Sequence, residues 1–178
     1  MFNFLGFFNI FFIIANLKWL SSLDNTYSFA KKPISALAKN KDSKARFILI
    51  MTIFTLLQLI YALYVIDNLN ITHKLTINRL LIIGGILLVC SSLVVANRII
   101  LHRKLVQASV AFITLGVIML SIQILSINKL VGVSILVSTT VLLMLQHILR
   151  NILKVGYWEL PLLFMVIFWN IATTLLLK

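Results

Sequence analysis

Six long apolar segments constrain this chain more than any other feature of its sequence. They cover residues 2–20, 47–66, 80–96, 105–125, 130–149 and 157–177, and most are bounded by Lys or Arg. A helix needs roughly 20 apolar residues to cross a bilayer. Of the 178 residues, 61% are hydrophobic and 11% are charged, whereas soluble domains carry about 25% charged residues. The sequence therefore predicts an all-α polytopic membrane protein, in which residues 1–178 form one transmembrane domain, a six-helix bundle with short loops.

The first segment is the least regular of the six, because Asn9, Asn16 and Lys18 interrupt it. An apolar N-terminus also raises the alternative of a signal peptide, which needs a basic region before its apolar core. No Lys or Arg precedes Lys18, so we expect a retained transmembrane helix. A re-entrant or interfacial first segment would leave five spans instead.

The basic residues are distributed unevenly between the two predicted faces of the membrane. Twelve of the sixteen Lys and Arg belong to, or adjoin, loops one, three and five. Cytoplasmic loops carry an excess of basic residues. We therefore expect these loops to be cytoplasmic, with both termini outside, in a bacterial inner (plasma) membrane. The net charge of +12 is explained by this asymmetry, and we predict no nucleic-acid partner.

The first loop is the most basic part of the chain and contains the segment from Lys31 to Lys39. Pro33 suits the first position of a helix, and Ile34, Leu37 and Ala38 would share one face. Such a helix would lie on an anionic leaflet, so membrane lipids are the expected partners. An ordinary solvated basic loop is the alternative.

The predicted spans contain neutral polar residues but almost no charge. Gln107, Gln123, Ser138 and Asn170 are examples. Small and neutral polar residues commonly mediate close helix packing in membranes, which would fit a homo-oligomer or a partner membrane subunit. The alternative is a polar path for a small neutral solute.

Three titratable residues are the candidate catalytic residues. His102, His147 and Glu159 fall in loops or at helix ends on the same predicted face. Imidazoles and a carboxylate can bind metal or perform general acid and base catalysis. However, the chain has no His-Glu-x-x-His helix, nucleophile elbow or glycine-rich phosphate loop, and we predict no metal site and no cofactor. A structural role is the alternative, since Glu159 stands beside Pro161 where a helix N-terminus favours an anion.

The order of several motifs resembles that of a known family. Tyr27-Ser28 follows the first span, Pro33-Ile34-Ser35-Ala36-Leu37-Ala38 precedes the second, and Trp158-Glu159 opens the last. This layout resembles an uncharacterised family of six-helix prokaryotic integral membrane proteins, classed as a domain of unknown function, whose first loop carries Ile-Ser-Glu-Leu-Gly. Alanines replace the acid and the glycine of that motif here, and His102 is similar to a third-loop His of the family. The resemblance implies six helices and no particular activity.

Three hypotheses about function follow from these observations. The first is a non-enzymatic membrane protein that acts through helix packing with itself, lipid or partner subunits. The second is a small transporter or channel for a neutral solute. The third is a membrane-embedded, lipid-modifying enzyme that uses His102, His147 and Glu159.

Overall fold

A computed structural model of the protein describes residues 4–24, 27–28, 31–39, 41–94, 99–153 and 158–177. All the regular elements in these ranges are helical: α1 (Leu5–Ser22), a short 3-10 helix (Ile34–Lys39), α2 (Lys41–Asn68), α3 (Lys74–Val94), α4 (Ile99–Leu125), α5 (Lys129–His147), a π-helical turn (Ile148–Ile152) and α6 (Leu160–Leu176). Five helices are long and apolar enough to cross a membrane, and α6 is a shorter apolar helix of 17 residues. The all-α class and the count of six long helices are thus confirmed.

Several helices begin before the apolar segments that predicted them. Helix α2 begins at Lys41 instead of Phe47, and α4 begins at Ile99 instead of Leu105. An apolar segment marks the thickness of the hydrocarbon core, whereas the backbone gains from keeping its helical hydrogen bonds beyond that depth. Charged residues such as Arg46 therefore lie inside the first turns of helices.

Helix α3 begins at Lys74, also six residues before its predicted span, and the boundaries of α1 and α5 shift by smaller amounts. Helix α1 continues to Ser22, whereas α5 gives way to the π-helical turn after His147. The predicted boundary residues Ala96 and Tyr157 lie outside the described residues.

Two apolar clusters form the core, one toward each end of the bundle. The first contains Leu69 and Ile71, which follow α2, together with Ile124 at the end of α4. The second contains Leu20 near the end of α1 and Leu37 from the first loop. Because connected helices run in opposite directions, the first cluster belongs to the end where loops two and four lie. The second belongs to the end where loops one, three and five lie.

The first-loop 3-10 helix, Ile34–Lys39, packs into the bundle. Leu37 and Ala38 have no exposed surface and contact the second cluster, which includes Phe47 of α2. The Ser43 hydroxyl donates to the carbonyl of Leu37. The sequence left open a short helix or a solvated loop for this segment, and the structure has the short helix. Its apolar residues Leu37 and Ala38 are covered by protein.

Helices α3 and α4 approach each other closely. A Cβ atom added at Gly84 would lie 2.6 Å from a side-chain carbon of Ile113 and 3.2 Å from the carbonyl oxygen of Ser109. The Ser109 hydroxyl donates to the carbonyl of Gly84 at 2.7 Å. This contact fixes one wall of the site described below.

Candidate functional site: a cavity with a polar end

Glu159 and Ser35 are joined across 124 residues of sequence. Glu159 immediately precedes α6, whose first turn contains Pro161. Its carboxylate accepts one hydrogen bond from the Ser35 N–H at 2.8 Å and another from the Ser35 hydroxyl at 2.7 Å. A carboxylate that accepts two such bonds holds its partner in a fixed orientation. The pair therefore attaches the 3-10 helix of the first loop to the beginning of α6.

His102 lies near the start of α4 and is 9% exposed. Its Nδ1 is 2.9 Å from the carbonyl oxygen of Ser91 on α3. A carbonyl oxygen only accepts hydrogen bonds, so Nδ1 must carry a proton, and in the neutral ring Nε2 then has the free lone pair. His102 is also close enough for its charge, when protonated, to act on Glu159.

These residues form one end of a cavity between the helices. The cavity has a volume of about 170 Å³ and is walled mostly by aliphatic and aromatic side chains. Its polar lining residues are Ser35, Ser91, Ser92, His102, Ser109 and Glu159. With the exception of Ser109, they come from the first loop, the end of α3, the beginning of α4 and the residue before α6. The polar groups thus gather where loops one, three and five lie.

A second, smaller cavity of about 90 Å³ adjoins the first. The two share Phe54, Leu88, Ile113, Met165 and Val166 in their walls. The smaller cavity is also lined by Trp169, ten residues from Glu159 and therefore about 15 Å further along α6 at 1.5 Å per residue. Together the two cavities lead from a polar end toward the apolar middle of the bundle.

Burial and charge perturb two acidic groups near the polar end. Glu159 lies just outside α6, and burial raises the pKa of its carboxyl, although hydrogen bonds from Ser35 and the charge of His102 oppose this. Burial also raises the pKa of Tyr27, and the negative charges of Glu159 and Asp24 add to the effect. Both shifts follow from the cost of placing a negative charge among apolar atoms.

The structure brings together two of the three candidate catalytic residues. His102 and Glu159 line the same cavity, whereas His147 is exposed at the end of α5. The Nδ1 of His147 lies 3.0 Å from the side-chain nitrogen of Asn151. No group of three or more His, Cys, Asp or Glu placed to hold a metal ion occurs among the described residues.

Ser35 is a member of this site that chemical reasoning about the sequence did not single out. Its partner, Glu159, is 124 positions away, so no local pattern connects the two. The available signal was the Pro33-Ile34-Ser35 segment of the first loop, on which the family resemblance rests.

A second polar region lies inside the bundle, between α1, α2 and α6. Asn9 donates to the Gln58 side-chain oxygen at 2.6 Å, and Gln58 donates to the Asn170 side-chain oxygen at 2.9 Å. The Tyr61 hydroxyl lies 2.9 Å from the Thr173 hydroxyl and 2.6 Å from that of Thr174. We refer to these six residues as the interhelical polar cluster. Tyr61 is fully buried, and its hydroxyl finds its partners on α6.

The residues of the predicted polar path have separate partners. Asn170 belongs to the interhelical polar cluster, and the side-chain oxygen of Gln123 accepts from the N–H and hydroxyl of Thr72 at 3.1 and 2.7 Å. Ser138 donates to the carbonyl of Ile135 within α5. Gln107 is exposed on α4. These four residues therefore do not line a common path.

Comparisons of the chain with family models, curated proteins and solved structures find no match. The resemblance to the six-helix family consequently stays a prediction from the motifs, and the site is interpreted from its own chemistry.

Proposed function

We propose that this protein is an integral membrane protein that binds one amphiphilic molecule between its helices. The polar head would lie beside Ser35, His102 and Glu159, and the hydrocarbon chain would occupy the two adjoining cavities. The observation that supports this proposal is the continuity between a polar cavity end and an apolar interior. Binding sites of this kind are concave, mostly apolar and equipped with a few well-placed polar groups.

The position of the site favours a lipid as the source of this molecule. The six apolar helices suit a bilayer, in which α6 with 17 residues is at the short limit for a spanning helix. Two cation–π pairs lie toward the polar end: Arg46 is 5.1 Å from the Trp19 ring and Arg150 is 4.9 Å from the Trp158 ring. Tryptophan and arginine are typical of the membrane–water boundary. The polar end would then lie at headgroup depth.

The orientation follows from the charge distribution. Loops one, three and five, which carry most of the basic residues, would be cytoplasmic in a bacterial inner membrane, and both termini would lie outside. Reporter fusions at the first loop and at the C-terminus test this orientation. A cytoplasmic C-terminus would overturn it without affecting the cavity.

Filling the cavity tests the binding proposal directly. Val166 lines both cavities, so Val166→Phe should occupy part of the space that the chain needs. We expect the purified wild-type protein to retain an amphiphile, or to take one up from mixed micelles, as detected by native mass spectrometry. Val166→Phe should lose most of this bound mass.

Val137→Phe is the matched control, because Val137 is 54% exposed on α5 and lies outside both cavity walls. It should retain the amphiphile like the wild type. Equal retention by the two variants, or no uptake of any amphiphile by the wild-type protein, would overturn the proposal.

A further inference from the structure

The described residues that line the larger cavity present hydrogen-bond acceptors and, with the His102 ring neutral, almost no free donors. Each polar proton on its lining side chains has an acceptor within the protein. The Ser35 hydroxyl donates to Glu159, and the Nδ1–H of His102 donates to the carbonyl of Ser91. A side chain whose proton is already used can offer a ligand only its lone pairs.

The remaining serine hydroxyls follow the same pattern. Ser91 donates to the carbonyl of Leu88 at 2.7 Å and Ser92 to that of Val89 at 2.8 Å. Ser109, deeper in the cavity, donates to Gly84. What these groups leave for a ligand are hydroxyl oxygens, together with the Glu159 carboxylate and, in the neutral ring, Nε2 of His102.

From these donors and acceptors we infer that the bound amphiphile has a hydroxyl head, as in a long-chain alcohol or an acylglycerol. This inference rests on the proposed function. A hydroxyl supplies the proton that the cavity cannot supply itself. An acceptor left without a donor in an apolar site is costly, so His102, which has no partner at Nε2 among the described residues, is the natural recipient.

An anionic head fits this site poorly. Among the described residues, no Lys or Arg side chain lines the cavity, and the Glu159 carboxylate would repel a phosphate or carboxylate. The first turn of α6 offers few N–H groups, since Pro161 has none and the N–H of Leu163 is directed to the carbonyl of Glu159. The indole N–H of Trp169 has no partner but is enclosed by protein.

A cationic head would be attracted by the Glu159 carboxylate, but it would meet two arginines at the same end of the bundle. Arg150 stacks on Trp158, the neighbour of Glu159 in the chain, and Arg46 lies on Trp19 at the same end of the bundle. Like charges repel an approaching ammonium group. A head with an uncharged hydrogen-bond donor is therefore repelled neither by Glu159 nor by the two arginines.

A long-chain alcohol and its methyl ether separate the effect of the donor from that of the chain. Both have the same hydrocarbon tail, and only the alcohol donates a hydrogen bond. We expect the alcohol to bind the wild-type protein about tenfold more tightly, the effect of one net hydrogen bond of about 1.4 kcal/mol, measured by calorimetry in detergent. The alkyl phosphate of the same chain should bind less tightly than the alcohol.

Variants of His102 and His147 test whether the preference for the alcohol over the ether depends on His102. His102→Phe removes the Nε2 acceptor and should reduce the preference for the alcohol toward unity. His147→Phe, at the exposed histidine, should leave the preference unchanged and is the matched control. If His102→Phe fails to fold, the comparison of alcohol, ether and phosphate on the wild-type protein still decides the inference.

The outcomes distinguish this inference from the proposed function. Equal binding of alcohol and ether, both lost in Val166→Phe, would leave the amphiphile site in place and overturn the hydroxyl head. Tighter binding of the phosphate would also overturn it. If none of the three probes binds, the proposed function itself is wrong.

Discussion

The interhelical polar cluster and the polar end of the larger cavity use similar residues for different purposes. In the cluster, amides and hydroxyls from α1, α2 and α6 donate mainly to one another. At the cavity end, the donors of the described side chains are directed into the protein, while the same side chains line a cavity. The cluster is satisfied except for the side-chain oxygen of Asn9, which is buried without a partner among the described residues. A nearly satisfied set of this kind locks helices together, whereas a set with several acceptors beside a cavity is suited to a ligand.

This contrast is sharper in a membrane than it would be in water. Hydrogen bonds between transmembrane helices contribute on average about 0.6 kcal/mol each, so the cluster stabilises α1 against α2 and α6 through several small terms. A spare acceptor beside a mostly apolar cavity is costly unless a donor satisfies it. Changes to the cluster should therefore act on stability, and changes at the cavity end on binding.

The largest expected effect comes from the close approach of α1 to the cluster. A Cβ atom at Gly6 would lie 2.7 Å from the Thr174 hydroxyl oxygen and 2.9 Å from the Tyr61 ring. Gly6→Ala should force α1 outward and lower the free energy of unfolding by about 1–3 kcal/mol, as overpacking does. Thermal unfolding in detergent measures this loss.

Gly85→Ala is the control for that substitution. A Cβ at Gly85 would meet its nearest neighbour, on Leu59, at 3.7 Å, an ordinary contact, so alanine should leave stability equal or slightly increased. If Gly6→Ala and Gly85→Ala behaved alike, α1 would not be held by the cluster as the structure indicates.

A smaller effect is expected from removing one hydroxyl of the cluster. Tyr61→Phe keeps the ring, which packs edge-on against Trp169 with centroids 5.6 Å apart, but removes the partner of Thr173 and Thr174. We expect a loss of about 1 kcal/mol in unfolding free energy. Tyr61 lines neither cavity, although Gln58 of the same cluster lines the smaller one. Amphiphile binding by Tyr61→Phe should be unchanged, and a parallel loss of binding would contradict the separation of the cluster from the polar end of the larger cavity.

The sequence predicted the features that depend on neighbouring residues. It did not predict those that depend on contacts between distant parts of the chain. The long helices were predicted from continuous apolar segments. A short helix in the first loop was one of two expectations, based on Pro33 and the spacing of Ile34 and Leu37. The pairing of Ser35 with Glu159 depends on how loops one and five meet, which no local spacing encodes. The burial of Tyr61 depends in the same way on hydroxyls of α6, which lie 112 and 113 residues away in the chain.

The candidate catalytic residues show the same limit. Charge counting placed His102, His147 and Glu159 on one face of the membrane, but a face is wide, and only the packing of α3, α4 and α6 decides which of them share a cavity. His147 is at the end of α5 and turned outward.

The smallest expected effect is a pH dependence that only the cavity end should show. Burial raises the pKa of Glu159 in the folded protein, so the folded state binds a proton more readily than the unfolded chain. Its favourable contribution is complete below the ordinary carboxyl pKa and is lost as the pH rises through the raised value. The unfolding temperature of the wild type, relative to Glu159→Gln, should therefore be higher at about pH 4.5 than at about pH 8.

The corresponding difference between the wild type and Tyr61→Phe should stay constant over this range, because the Tyr61 change introduces no group that titrates there. A wild-type advantage over Glu159→Gln that grew toward high pH would mean that Glu159 is stabilised as a carboxylate. The cavity end would then be as fully satisfied as the interhelical polar cluster, and the distinction between the two regions would fail.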